Sequence, residues 1–401
     1  MQREKVIATT LMRSDLYDVP GYTGAYLTLP ASQDETQDAL DRARIRDGKP
    51  YRIVEFYNML GEELDFIPEN PTFDELNFLA YRISKMPAYD RLAFTACIRM
   101  QDNKPDMQAL INLTYSLTGV RVITIDNDRE LGEFFVEYGF IDVIDHVPPE
   151  YQEELLGLLD YEKIGERQRK AERGIYYKGH YVMNDADTIK QVYDGIRLPE
   201  LPEEPSYIFK LRLTKGTFSS DEQESEQNTK LLLPASDKEI LSALERLGVE
   251  SLEKCVFTHC ESPIPMLEQA FSFSENIDKM NLLASRIREL EQTGELPKYK
   301  AIIELGLCSD IDQALDLAQN LDCYDFYPEL SLMEEYVKQE FLKRYHIPES
   351  EPALKLLRFS SYDLDWLQKA NVTATSYGIL RLNEREMILD YSIKQTGQQM
   401  S

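Results

Sequence analysis

No apolar run in this sequence approaches the ~18–20 residues that a membrane-crossing helix needs, so no transmembrane helix is expected. The opening MQREKVIATTLMRSD carries bases, but its apolar stretch is too short and broken for a signal peptide, and a cytoplasmic location is expected. Cysteine is scarce and odd in number: Cys97, Cys255, Cys260, Cys308 and Cys323. In a chain this long that argues against a disulfide framework and for a reducing compartment. The motifs GxxxxGK[ST], HExxH and GxSxG are all missing, which removes the commonest nucleotide, zinc-protease and serine-hydrolase signatures. Histidine occurs four times, at His146, His180, His259 and His346, with no local pair. Cys255-x-x-x-His259-Cys260 lacks the second ligand pair of a zinc site, and its cysteines read instead as buried small residues at a strand edge. No cofactor and no metal are expected. Positive charge is also in short supply, with 44 Lys and Arg against 71 Asp and Glu and a formal net charge of −27.

Such a charge repels nucleic acid and anionic membrane and attracts something basic, so direct nucleic-acid binding is not expected. At 43 % apolar the 401-residue chain can still build cores, and its length allows two to four domains. Asp/Glu pairs are too numerous to single out a general acid and base.

Along the chain the reading is α+β: an elongated series of small α/β sections. Residues 1–22 read as a lead-in holding a strand around 6–11. Strands are expected at 26–29 and 51–57 around a helix over 31–44, with a turn at Asp47-Gly48. Thr72-Phe-Asp-Glu75 is a capping box opening a helix with Phe73, Leu76, Leu79, Ala80 and Ile83 on one face. More helix follows over 89–99 and 106–117. A strand at 120–125 precedes a helix bearing Leu131, Phe134, Phe135 and Tyr138 and stopped by Gly139.

The stretch 146–174, HVPPEYQEELLGLLDYEKIGERQRKAERG, reads as a capped surface helix with acids early, bases late and Gly174 as a left-handed stop. Its Lys163–Arg173 basic run is balanced by acidic neighbours. A hairpin turning at Lys178-Gly179 follows over 175–183; PELPEEP at 199–205 and KGTFSSDEQESEQNT at 215–229 read as linker.

The chain then repeats itself. LPAS at 29–32 recurs at 233–236, and DELNFLAYRI at 74–83 recurs as DKMNLLASRI at 278–287, both at an offset of 204. Ala39-Leu40 recurs as Ala243-Leu244 at the same offset, Gln108-Ala-Leu110 recurs as Gln313-Ala-Leu315 with a slip of one, and His146-Val-Pro148 finds an echo in His346-Ile-Pro348. Ordered matches at one long offset imply two copies of a globular unit. The expected layout is a lead-in at 1–22, a first unit at 23–198 (sections 23–70, 71–119 and 120–198), a linker at 199–228, a second unit at 229–390 and a tail at 391–401.

With these landmarks in place, the first unit resembles the ArdA antirestriction proteins of conjugative elements. The residues that carry the resemblance are the strand ending Leu29-Pro30, the Asp74-Glu-Leu-Asn77 helix, Asp128-x-x-Leu-Gly132, Val147-Pro148 and Leu159-Asp-Tyr-Glu-Lys-Ile-Gly165 running into Gly174-Ile-Tyr176. The second unit resembles a degenerate copy. It keeps Leu233-Pro234 and the Asn281 helix, but has Ser361-Tyr-Asp-Leu-Asp-Trp366 where the first has Asp160-Tyr161 and Gly165.

The resemblance implies three α/β sections, no enzymatic activity, and mimicry of bent duplex DNA in the groove of Type I restriction–modification enzymes, protecting incoming mobile-element DNA such as a conjugative transposon. It also implies that Leu159, Asp160, Tyr161 and Gly165 belong to the antirestriction motif, near the family's dimer contact. In many members Arg directly follows that glycine; here Glu166 intervenes before Arg167. The chain is then a homodimer or an intrachain pseudo-dimer.

A DNA mimic must hold carboxylates at intervals comparable with duplex phosphates, one charge per ~1.7 Å of axis. The candidates are Asp126, Asp128, Glu130, Glu133, Glu137, Asp142, Asp145, Glu150, Glu153, Glu154, Asp160, Glu162 and Glu166. Glu133 and Glu137 stand i, i+4 on one face, a like-charge pairing that stability alone does not favour. Two other readings stay open: an acidic scaffold for a basic conjugation partner, and a hydrolase with a carboxylate or metal site.

Overall fold

The computed structural model describes residues 4–46, 48–59, 66–139, 148–184, 189–202, 205–215, 228–271, 275–330, 332–359 and 371–392. Among them the architecture is mixed α/β, with four three-stranded sheets. The chain opens with β1 (Ile7–Arg13), β2 (Ala25–Leu29), α1 (Gln33–Arg42) and β3 (Tyr51–Asn58), in sheet order β2-β1-β3. Helices α2 (Phe73–Ser84), α3 (Ala88–Arg99) and α4 (Met107–Leu113) follow. Next come β4 (Val120–Ile123), α5 (Asp128–Glu137), α6 (Pro149–Leu158), α7 (Tyr161–Glu172), β5 (Ile175–Tyr177) and β6 (His180–Asn184), in sheet order β4-β6-β5.

The later half runs β7 (Phe209–Lys215), β8 (Thr229–Leu233), α8 (Asp237–Leu247) and β9 (Cys255–Glu261), in order β8-β7-β9. Then come α9 (Pro265–Ala270), α10 (Ile277–Thr293), α11 (Leu296–Ile302) and α12 (Ile311–Gln319). Last are β10 (Tyr324–Tyr327), α13 (Met333–Tyr345), β11 (Val372–Thr375) and β12 (Gly378–Leu382), in order β10-β12-β11. In both halves the first sheet places its earliest strand in the centre, and the last sheet its latest.

Local chemistry starts several helices, among them the one signalled at Thr72. Ser32 and Thr72 close capping boxes with Glu35 and Glu75. The Glu239 carboxylate accepts from the backbone N–H and hydroxyl of Ser236 at 2.8 and 2.7 Å. These contacts answer N–H groups that a helix start leaves unpaired. The 175–183 hairpin forms as expected, with Lys178 and Gly179 at φ 47° and 75°.

Two compact units result. One comprises Met1–Thr9, Thr28–Pro30 and Glu55–Pro202; the other comprises Thr10–Leu27, Ala31–Val54 and Glu203–Ser401. The first buries Leu76, Phe78, Leu79, Phe94 and Leu110 and, in a smaller cluster, Ile125, Leu131, Phe135, Tyr181 and Met183. The second buries Phe209, Leu211, Leu213, Phe257, Leu283 and Tyr299 in its main core.

Several expectations are corrected. The strand expected around 6–11 forms as β1, though as the middle strand of a sheet and not a mere lead-in, and the stretch read as linker at 199–228 contains β7, the middle strand of another sheet. In β7, Phe209, Leu211 and Leu213 turn inward while Lys210 and Arg212 turn out, the period-two pattern of a strand. Its Pro/Glu-rich and polar flanks hide that pattern. The helix over 106–117 stops at Leu113. The helix read over 146–174 is two helices, parted at Leu159, whose ψ of 132° is extended. The left-handed residue at its end is Arg173, at φ 54°, and not Gly174. Gly174 is needed for a different reason, since a Cβ there would stand 2.3 Å from the Tyr181 hydroxyl oxygen.

Each half pins its trailing segment in the same way. Asn112 Oδ1 accepts from the N–H groups of Val192 and Tyr193, both at 2.8 Å, and Ser116 Oγ from that of Lys190 at 2.9 Å. Asp316 Oδ1 accepts from Asp390 and Tyr391 at 2.9 and 3.0 Å, and Asn320 Oδ1 from Ile388 at 2.8 Å. The expected tail at 391–401 thus begins with residues held by Asp316.

Candidate functional site: the acidic face of α5 to α7

Helix α5 is placed by its termini and its inner face. Asn127 caps it, its side chain accepting from Glu130 N at 2.9 Å, and Leu131, Gly132 and Phe135 face the core. Helix α7 crosses it at backbone distance. A Cβ on Gly132 would lie 1.9 Å from the carbonyl oxygen of Tyr161, and one on Gly165 would lie 1.8 Å from that of Asp128. Only two glycines at the crossing let the helices approach this closely. The motif residues Gly132 and Gly165, 33 positions apart in the chain, therefore meet.

The crossing is locked by an ion pair. Arg169 donates from Nε and Nη2 to Asp128 Oδ1 and Oδ2 at 2.7 and 3.0 Å, and the Tyr176 hydroxyl donates to Oδ1 at 2.8 Å. The Arg169 bond first, and the Tyr176 hydroxyl with it, hold the Asp128 carboxyl below its ordinary value. Burial, then hydrogen bonding to Asp128, pushes the Tyr176 phenol up. Tyr181, fully buried, donates to Glu172 Oε2 at 2.7 Å, and burial raises its phenol as well.

The candidate carboxylates divide. Asp128 is committed to Arg169 and Tyr176. Glu133 accepts from Arg129 at 3.1 Å, which relieves the like-charge pairing with Glu137. Asp160 caps α7 through Lys163 N at 3.2 Å and pairs with Lys163 Nζ at 2.7 Å; the side-chain bond from Lys163 is the main cause of its lowered pKa. Glu166 pairs with Lys170 at 2.5 Å. Asp126, Glu130, Glu137, Glu150, Glu153, Glu154 and Glu162 are exposed and make no ion pair among the described residues. Asp142 and Asp145, with His146 and Val147, lie outside the described residues, as does 361–366.

Of the motif residues, Leu159 is half-buried, and Tyr161 donates to Leu156 O at 3.2 Å across the α6–α7 junction. Gly165 is buried against α5. The basic run is balanced as expected at Lys163, Arg169 and Lys170. The sequence reading did not assign Arg169 a partner, because it joins residues 41 positions apart; the paired glycines and Tyr176 were the visible signal. Among the described residues no three metal-ligating side chains converge. Cys255 and Cys260 lie on β9, an edge strand, where His259 contacts Glu261 at 3.1 Å.

No protein-family model matches this chain, and no curated protein matches it.

Proposed function

We propose that the protein is an ArdA-like antirestriction protein, an acidic DNA mimic that occupies the DNA groove of a Type I restriction–modification enzyme. The observation that carries this reading is the glycine crossing of α5 and α7. It fixes a helix whose outward carboxylates, Glu130 and Glu137, are left without cations. Seven residues of helix place them about 10.5 Å apart along the axis, comparable with three phosphate steps of one DNA strand at about 3.4 Å each. A fixed array of this kind can displace DNA from a Lys/Arg-lined groove by the same counterion-release term that binds DNA.

Tandem duplication of an ArdA-like unit is part of the proposal. The offset matches in sequence, the repeated element order and sheet orders, and the matched pinning of 190–193 and 388–391 all support it. On this reading the chain is an intrachain pseudo-dimer acting in the cytoplasm.

The test is competition. A labelled duplex bound to a Type I methyltransferase core is challenged with this protein across a salt series. Displacement near one protein per enzyme, weakening steeply with salt and lost in the Glu130→Gln/Glu137→Gln/Glu162→Gln variant, is expected. No displacement at any salt would sink the reading and favour an acidic scaffold for a basic partner.

A further inference from the structure

In the second unit, the segment after α1 brings Arg44, Arg46 and Lys49 close together in the chain. Arg13 is answered by Asp15, with bonds of 2.7 and 3.0 Å. Arg44 is 6 % exposed and held at φ 57°. Its Nη1 and Nη2 donate to the carbonyls of Arg42 and Thr375, both at 2.8 Å, while Nε has no partner. Burial first, and then the charge of Arg46, bring the Arg44 guanidinium down to about 10.

Arg46 lines a cleft of about 970 Å³ whose apolar walls include Leu40, Ile45, Pro50, Tyr51 and Leu296. Its Nε and Nη2 are buried with no hydrogen-bond partner among the described residues. Those two donors share one edge of the guanidinium, the edge that grips a carboxylate or phosphate with two parallel bonds. The other charges of the lining are answered. Asp41 accepts from Gln37 at 3.1 Å and Lys300 at 3.4 Å, Glu291 pairs with Arg288 at 2.7 Å, and Lys49 with Glu329 at 3.0 Å. Buried donors without partners are costly and rare, and here they belong to a side chain that lines a cavity of ligand size.

We propose that this cleft binds a small molecule carrying one oxyanion, carboxylate or phosphate, on an apolar body, with the Arg46 guanidinium turning its unpartnered Nε/Nη2 edge into the cleft to grip the oxyanion and the body lying against Tyr51 and Leu296. The site is independent of the antirestriction reading and shares no residue with α5 or α7.

The full-length protein, labelled with nitrogen-15 at arginine, is titrated with phenyl phosphate, phenylacetate and inorganic phosphate at constant ionic strength, with chloride as reference. One arginine Nε resonance should shift and saturate, and it should be missing from Arg46→Lys. Affinity in that variant should fall about tenfold or more, the loss of a charge-assisted bond. Tighter phenyl phosphate identifies a phosphate ligand, and tighter phenylacetate a carboxylate. Unsaturable shifts with every probe in the wild-type protein would overturn the proposal, as would saturation unchanged in Arg46→Lys. Inorganic phosphate binding as tightly as phenyl phosphate would overturn the apolar body.

Discussion

Between Asp126 and Glu166 most described carboxylates stand in water, whereas Asp38, Asp41, Asp312 and Asp316 of the other unit are 1 %, 5 %, 2 % and 2 % exposed. Each buried aspartate is answered. Lys300 Nζ reaches Asp38 at 2.9 Å and Asp41 at 3.4 Å, and Asp38 also accepts from Arg42 and Tyr377 at 2.9 and 2.8 Å. Asp312 pairs with Lys279, and Asp316 takes three backbone N–H groups and the Ser392 hydroxyl. An ion taken out of water must recover its hydration from such partners, so these acids serve cohesion. The exposed ones cost the fold little and remain available to a basic surface. A net charge of −27 sums two populations doing different things.

The largest effect tests the buried side. Lys300→Met leaves Asp38 and Asp41 without their shared cation and should lower unfolding free energy by about 3–5 kcal/mol, read from urea unfolding. A loss under about 1 kcal/mol would remove the contrast.

Next comes the crossing that presents the exposed side. Gly165→Ala forces a Cβ to 1.8 Å from a carbonyl oxygen, and should cost about 3 kcal/mol, the upper range for overpacking. Gly157→Ala, where a Cβ meets nothing within 4 Å, should be neutral or stabilising by up to about 1 kcal/mol. Equal effects would mean that the helices do not depend on close approach.

Asp128→Asn probes the carboxylate of the acidic face that ties α5 to Arg169 of α7, and should cost about 1.5–3 kcal/mol near neutral pH. Because its folded pKa lies below the ordinary 3.8, the wild-type stabilisation is complete above that value and is lost as pH falls through the depressed one. The Asn variant should therefore show a flatter acid limb in stability against pH. The smallest change is expected from Glu130→Gln with Glu137→Gln, within about 0.5 kcal/mol in unfolding, even though the same variant should weaken displacement of DNA. A large loss of stability would move these residues to the cohesive population.

Much of the local structure was legible in the sequence. The box at Thr72, the Lys178-Gly179 hairpin and the aromatic helix after Asn127 are set by contacts within a few residues. The central place of β1 in its sheet and the whole of β7 were less so, because sheet partners are set by the fold and the flanks of β7 hide its alternation. The pinning by Asn112 and Asp316 escaped identity matching, since different side chains present the same acceptor to the backbone. The acids of the candidate face were all visible as residues, but not their division into paired and unpaired.

By itself the sequence determined where several helices begin and where the hairpin turns, because caps and turns are short-range physics. Only the tertiary structure decided that Gly132 meets Gly165, that Arg169 neutralises Asp128, that Lys300 sits between two buried aspartates, and that two donors of Arg46 are buried with no partner among the described residues. Those outcomes depend on which distant backbones pack and which charges lose water together, and neither is written in the spacing of residues along the chain.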